Sequence, residues 1–186
     1  MRYLLIILFF SNIAYSQEVN RHYIDSLVNN YQNNNNGEFE KEFLKLGDKI
    51  GRQDNALQLY QYLDSISSGK PKITLSFYNK YVSYLYRTSR FKEGLKINSI
   101  GLKLAKRYNY PKIIFEYTQI KSYGFSSIKS ADSALFYVNE AEKIVLKNKD
   151  ILGNKLNTVY LRKVDIETLL GNFEQRDFLY EKAVES

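Results

Sequence analysis

The sequence predicts an all-α protein built as a stack of antiparallel helix hairpins, an αα-solenoid. Three observations support this fold class: apolar residues recur at helical spacing, the chain holds only 2 prolines in 186 residues, and a pair of small residues recurs along it. Proline interrupts helices, so its scarcity permits long ones. The recurrence has a period of about 40 residues, which is typical of solenoids because one hairpin cannot bury its apolar face alone.

The clearest hairpin lies in residues 76–106. Its first half carries one apolar helical stripe, formed by Leu75, Tyr78, Val82 and Leu85. A polar break at residues 87–90 predicts the turn. In the second half, Gly94 and Gly101 stand two helical turns apart on one face. Glycine inside a helix costs roughly 1 kcal/mol relative to alanine, so this pair predicts close contact with a neighbouring helix.

The small pair repeats along the chain. It returns first as Ala134 and Ala141, at the same spacing, and then in part as Arg176 and Ala183, at a slightly longer interval. The sequence therefore predicts three hairpins, at about residues 71–110, 111–150 and 151–186. The turn of the middle hairpin, at residues 126–130, is expected to be one residue longer than that of the first.

Residues 1–16 have the pattern of a cleavable signal peptide. Arg2 supplies a positive start, residues 4–10 form a short apolar run, and Ala14 and Ser16 fit a small-x-small cleavage site after Ser16. An uncleaved anchor is the alternative. No later stretch approaches the length of a membrane span, and cysteine is absent, which argues against a lipid anchor. We expect a periplasmic or secreted protein whose mature chain does not span a membrane.

Residues 17–70 are predicted to form N-terminal helices and a degenerate leading hairpin. Apolar spacing indicates helices at residues 19–32, Glu38–Ile50 and 54–65. The asparagine-rich run at residues 29–37 is expected to be a surface loop, because asparagine side chains compete with helical hydrogen bonds. A connector at residues 67–71 separates this region from the repeats.

Composition argues against catalysis. With no cysteine and one histidine, the chain lacks the residues for a thiolate or multi-histidine metal site or a histidine-based triad. No phosphate-binding glycine loop is present. We therefore expect no enzyme activity, no cofactor and no metal. The net charge of +7 reflects either AT-rich codon usage or an acidic partner. Nucleic acid is not expected, because the basic cluster Lys103, Lys106 and Arg107 is predicted to face the outer wall.

The last unit carries a resemblance to a known family. Residues 170–183 begin with Leu170-Gly171-Asn172-Phe173 and end with Tyr180-Glu181-Lys182-Ala183. This segment resembles the inter-helix turn and second helix of the tetratricopeptide repeat. The resemblance covers about residues 75–186 and implies a right-handed αα-solenoid. The period here is longer than the one usual in the family, and four positions depart from the family pattern: Asn98, Ala131, Glu167 and Arg176.

The resemblance implies where a ligand binds. In that family the first helix of each hairpin lines a concave groove that holds a peptide. Carried over by position, eight groove residues are expected here: Asn79, Lys80, Ser83, Tyr86, Gln119, Tyr123, Arg162 and Asp165. Amide and ammonium groups suit a peptide backbone and a carboxylate, and tyrosine rings suit apolar side chains.

These features predict a non-catalytic interaction or scaffold module that binds a protein or peptide in a concave groove. The alternative is the sensor portion of a membrane-bound signalling protein, of the histidine kinase or transcriptional regulator type. The sequence stops at Ser186 without the polar capping helix usual in solenoids. We expect either self-association through this uncapped hairpin or a longer parent chain.

Overall fold

A computed structural model describes residues 19–33 and 38–186, and every regular element in those two ranges is helical. The helices are α1 (Arg21–Asn33), α2 (Glu38–Ile50), α3 (Ala56–Ile66), α4 (Pro71–Arg87), α5 (Phe91–Arg107), α6 (Pro111–Ser127), α7 (Ala131–Lys147), α8 (Lys149–Leu152), α9 (Leu156–Leu170) and α10 (Phe173–Glu185). A single 3-10 turn, Gly153–Lys155, joins α8 to α9. The all-α prediction is confirmed.

From α4 onward, each long helix packs against its neighbours in the chain. Helices α4 and α5, α6 and α7, and α9 and α10 form three helix pairs, and α5 also packs on α6 and α7 on α9. At the amino-terminal side, α2 lies against α4. The tight turns within the pairs make consecutive helices antiparallel. The first helices α4, α6 and α9 therefore lie on one side of the array.

The helix ends follow local backbone rules. Pro71 and Pro111 occupy the first positions of α4 and α6, where the missing amide hydrogen costs nothing. The short turns after α4, α5 and α6 share one geometry. Their middle residues have φ angles of 59°, 52° and 59°, at Ser89, Asn109 and Lys129. These three positions are evenly spaced in the sequence, so the same turn recurs at a constant interval.

Tyrosine rings fill the space above the helical glycines. A Cβ atom at Gly101 on α5 would lie 2.7 Å from the ring of Tyr117 on α6. Gly94 on α5 and Gly124 on α6 both contact Tyr86 of α4. The prediction that Gly94 and Gly101 lie at helix contacts is confirmed. The contact differs in kind from close backbone approach, because an aromatic side chain occupies the gap.

Hydrogen bonds replace apolar contacts at two positions that depart from the resembled pattern. Fully buried Asn98 donates its amide to the Tyr117 carbonyl at 2.9 Å, which ties α5 to α6. Glu167 accepts a hydrogen bond from the Asn172 amide at 2.8 Å, across the α9–α10 turn. Each of these interior polar residues has at least one bonding partner, although the Asn98 carbonyl oxygen has none among the described residues.

Three details of the sequence prediction are corrected. Helix α1 continues through Asn33, so residues 29–33 are helical and not loop. The turn after α6 has the same number of residues as the turn after α4, and the expected extra residue is absent. The short helix α8 and the 3-10 turn are inserted before α9, which accounts for the longer spacing of the last unit.

The signal-peptide prediction at residues 1–16 and the end of the asparagine-rich run at residues 34–37 lie outside the described residues. Within the described part of the chain, no helix combines the length and apolar character needed to cross a bilayer. That agrees with the expectation for the mature chain.

Candidate functional site

A cleft of about 440 Å³ opens where α4, α6 and α9 lie side by side. Residues from all three helices line it, and they are Ser83, Tyr86, Arg87, Gln119, Ile120, Tyr123, Thr158 and Arg162. Five of the eight predicted groove residues are in this set: Ser83, Tyr86, Gln119, Tyr123 and Arg162. The structure thus brings together side chains from three separate segments of the sequence.

Two tyrosines and one arginine form the centre of the cleft. The rings of Tyr86 and Tyr123 lie 5.6 Å apart, and the Arg162 guanidinium lies 5.2 Å from the Tyr123 ring centroid. Tyr86 is only 7% exposed, whereas Tyr123 is 42% exposed. Burial raises the pKa of the Tyr86 hydroxyl above its ordinary value. Tyr86 therefore forms the floor of the cleft, and Tyr123 and Arg162 form its more exposed part.

The cleft is cationic. Arg87 and Arg162 line it together, and no carboxylate is among its lining residues. Arg87 donates a hydrogen bond to the Gly51 carbonyl at 2.5 Å, which holds its guanidinium in place. Arg162 pairs with Asp165 at 3.0 Å, one helical turn further along α9. An anionic group in the cleft meets two arginines that are already oriented.

The groove continues beyond the cleft toward the α9–α10 turn. Tyr123 and Arg162 also line a second depression of about 440 Å³, which includes Asp165 and Leu169. Leu169 then leads into a third depression of about 370 Å³, lined by residues that include Ile166 and Leu170. One continuous surface therefore passes from a cationic, aromatic centre to an apolar end.

Two carboxamides on this side of the molecule keep unsatisfied polar atoms. Both amide atoms of Gln119 are shielded from solvent and have no hydrogen-bond partner among the described residues. Asn79 donates to Glu116 at 3.1 Å, but its carbonyl oxygen has no partner in the same range. The two residues stand at equivalent places on α4 and α6. Buried polar groups are usually hydrogen-bonded, so these unpaired atoms are exceptions within the fold.

The other predicted residues lie around the cleft. Lys80 forms an ion pair with Asp48 of α2 at 2.8 Å, and Asn79 precedes it on α4. Neither lines the central cleft. Asp165 lines the second depression. All eight residues thus lie on α4, α6 and α9, and a binding role for them stays a prediction.

Sequence reasoning missed three lining residues. Arg87 and Thr158 each lie one helical turn from a predicted residue, Ser83 and Arg162 respectively, so they share its face. Ile120 neighbours Gln119. Arg87 was assigned to the polar break because that stretch holds no apolar residue, although α4 continues to that position. Extending the helix by one residue would have found it.

Among the described residues, no group of three or more histidine, cysteine, aspartate or glutamate side chains is arranged to hold a metal ion. The groove offers two guanidinium groups, an exposed ring, a carboxamide and an apolar end. Comparison with known proteins found no matching family model, no matching curated protein and no matching solved structure.

Proposed function

We propose that this chain is a non-catalytic interaction module, a right-handed αα-solenoid of the tetratricopeptide kind, that binds a peptide or protein segment in the groove. One observation carries the proposal. Three first helices, each from a different helix pair, contribute side chains to one cleft of about 440 Å³. Residues assigned to the groove from separate parts of the sequence meet at this cleft.

The chemistry of the groove favours a peptide segment that combines acidic and apolar residues. Arg87 and Arg162 suit a carboxylate, and the Gln119 carboxamide has a donor and an acceptor available for a peptide bond. Leu169 is 67% exposed and Leu170 is 42% exposed. Burying such apolar side chains against a ligand contributes roughly 25 cal/mol per Å².

We place this function outside the cytoplasm, in the periplasm or secreted. The support is the pattern of residues 1–16, with a positive start, a short apolar run and small residues before the cut. Mass spectrometry of the protein recovered from its host tests this proposal. A mature chain beginning at Gln17 is expected, and an intact amino terminus would contradict it.

The groove is tested by selecting ligands from a random peptide display library on the wild-type chain. Selected peptides are then measured by calorimetry against a variant with Tyr123→Ala and Arg162→Ala. We expect enrichment of peptides with acidic and apolar residues, and a loss of binding of at least about tenfold in the variant, because a charged contact and an aromatic anchor are both removed.

A matched control removes one exposed ring and one exposed cation elsewhere. Phe136→Ala and Lys96→Ala change side chains on α7 and α5 that do not line the groove. This variant should bind the selected peptides like the wild type. Equal losses in both variants, or no loss in the groove variant, would contradict the proposal. Tyr86 is unsuitable as a test position because it is packed against Gly94 and Gly124.

A further inference from the structure

A second surface lies at the edge of the array where α5 turns into α6 and α7 turns into α8. The two connections meet there: Asn109 and Pro111 from one and Lys147 and Asn148 from the other line a single cleft of about 290 Å³. We call this surface, formed by residues 106–112 and 146–151, the basic edge. It is separate from the groove, since none of these residues lines the groove depressions.

The basic edge concentrates unpaired positive charge. Five exposed cations belong to it, and none of their charged groups has a salt bridge or hydrogen bond within the described residues; they are Lys106, Arg107, Lys112, Lys147 and Lys149. Asp150 is the carboxylate within the edge, and nearby Glu140 is paired with Lys143 at 2.8 Å. The edge therefore keeps a net positive charge that the protein itself does not neutralise.

Helix electrostatics explain only part of this cluster. Lys106, Arg107 and Lys147 lie in the last turns of α5 and α7, where a cation interacts favourably with the helix dipole. Lys112 lies in the first turn of α6, where the same dipole disfavours a cation. The helix dipole thus gives no reason for Lys112, whose charge is available to an external anionic partner.

The basic edge also carries exposed aromatic and apolar side chains. The rings of Tyr108 and Tyr110 stack on each other 6.2 Å apart, and they are 45% and 36% exposed. Leu146 is 47% exposed and Ile151 is 62% exposed. Tyrosine with lysine and arginine around exposed aliphatic groups is the composition of surfaces that lie in a bilayer interface.

We propose that the basic edge docks on a bilayer surface that contains anionic phospholipid. The five cations supply attraction to the headgroups, while Tyr108, Tyr110, Leu146 and Ile151 enter the interface. A soluble polyanion such as a nucleic acid satisfies the charges but leaves the two aliphatic side chains in water. The membrane is therefore the partner that accounts for both halves of the surface.

Vesicle flotation of the full chain tests whether the cations of the basic edge bind anionic lipid. The edge variant carries Arg107→Ser, Lys112→Ser and Lys147→Ser. The control carries Lys92→Ser, Lys96→Ser and Lys129→Ser, which removes the same charge from exposed positions away from the edge. Phosphatidylcholine vesicles with and without phosphatidylglycerol are compared. Neutral vesicles measure any contribution of residues 4–10, which every variant shares.

We expect the wild type to prefer anionic vesicles. The edge variant should lose at least about tenfold in affinity for them, because each cation contributes about fivefold to the affinity. The control should bind like the wild type. Equal losses in edge variant and control would show that only net charge matters and would overturn the proposal. Equal binding of the wild type to neutral and anionic vesicles would overturn it as well.

Substitutions of the apolar side chains distinguish a membrane from a soluble polyanion as the partner of the basic edge. Leu146→Ser with Ile151→Ser should weaken vesicle binding and leave binding to a short single-stranded oligonucleotide unchanged. Because the chain has no tryptophan, Tyr110→Trp adds a unique reporter, whose emission should shift to the blue with anionic vesicles and not with inorganic phosphate. An unshifted reporter, or unchanged vesicle binding by the serine variant, would assign the edge to a polyanion and overturn the proposal.

Discussion

At the scale of single residues, the interior depends on tyrosine rings seated on glycine. Tyr86 contacts Gly94 and Gly124, and Tyr117 contacts Gly101. These contacts explain why glycine is retained inside α5 and α6 despite its poor helix propensity. The space of the missing side chain is taken by a ring from another helix, and the ring buries far more apolar area than an alanine methyl would.

Gly101→Leu is expected to destabilise the fold by roughly 1–3 kcal/mol, because overpacking forces Tyr117 and its neighbours to move. The Tyr117 ring is fully buried and has no free space to enter. Chemical denaturation monitored by circular dichroism measures the change. Gly153→Ala is the control, since a Cβ there meets nothing within 4 Å. An unchanged midpoint for Gly101→Leu would contradict this placement.

Buried tyrosines also make the fold sensitive to alkali. Burial raises the pKa of Tyr60, Tyr78 and Tyr117 above the ordinary value of 10.0, and the hydrogen bond from Tyr78 to Asp64 at 2.5 Å adds to its shift. The folded state therefore holds these protons more tightly than the unfolded state.

This difference contributes stability that is complete below the ordinary tyrosine pKa and falls as pH rises above it, because only the unfolded chain ionises readily there. We expect the free energy of unfolding to decrease above about pH 10. Tyrosinate absorbance should rise in two phases, first from exposed rings and then together with loss of helical signal. A single phase with intact helix would show that these rings are accessible to solvent.

At the scale of the element, one turn geometry organises most of the chain. In the turns that follow α4, α5, α6 and α9, the last residue donates its amide hydrogen to a carbonyl in the final turn of the preceding helix, at 2.7 to 3.2 Å. The residue before it has a positive φ in each case. This closure satisfies free carbonyls at the end of the helix. Of these four turns, only the one after α9 uses glycine, Gly171, at the positive-φ position.

Lys129→Gly is expected to stabilise the protein by about 1 kcal/mol, because the left-handed conformation at φ 59° is costly for any residue with a Cβ. Lys129→Ala is the matched control, since it removes the same charge and keeps the Cβ. Thermal unfolding of the three proteins measures the difference. If the alanine variant gained as much as the glycine variant, the effect would come from charge and not from backbone strain.

At the scale of the whole molecule, the last hairpin differs from those before it. Val138 on α7 is fully buried beneath the next helices, whereas Tyr180, at the equivalent place on α10, is 56% exposed. Other apolar residues of α10 are similarly open, namely Phe173, Phe178 and Val184. Phe173, Tyr180 and Val184 therefore form an exposed apolar stripe on one face of α10.

Self-association through α10 is the corresponding prediction. Sedimentation velocity of the full chain should show a dimer that grows with concentration, because pairing two such faces removes apolar surface from water. Tyr180→Lys with Val184→Lys should return the chain to a monomer. Phe136→Lys with Ile100→Lys is the control for added charge at exposed apolar positions. A monomer at all concentrations would contradict the prediction.

The groove also depends on the arrangement of helices in the whole molecule. Ser83, Gln119 and Arg162 reach one cleft because α4, α6 and α9 lie on the same side of the array. The assignment from sequence included Ser83 and Tyr123, which the regular repeat spacing relates and which both line the cleft. It was incomplete at Arg87 and Thr158, since a repeat pattern identifies equivalent positions but not which of them face a common space.

Local sequence patterns account for the all-α class, the three helix pairs and the interior positions of Gly94 and Gly101. These follow from local rules of spacing, helix propensity and turn chemistry, which act over a few residues. The contacts between side chains of different helices follow only from the tertiary structure. Tyr86 became the floor of the groove and not its rim, and the carboxamide of Gln119 was left without a partner among the described residues. Such outcomes depend on how side chains from distant segments share limited space, which no local pattern encodes.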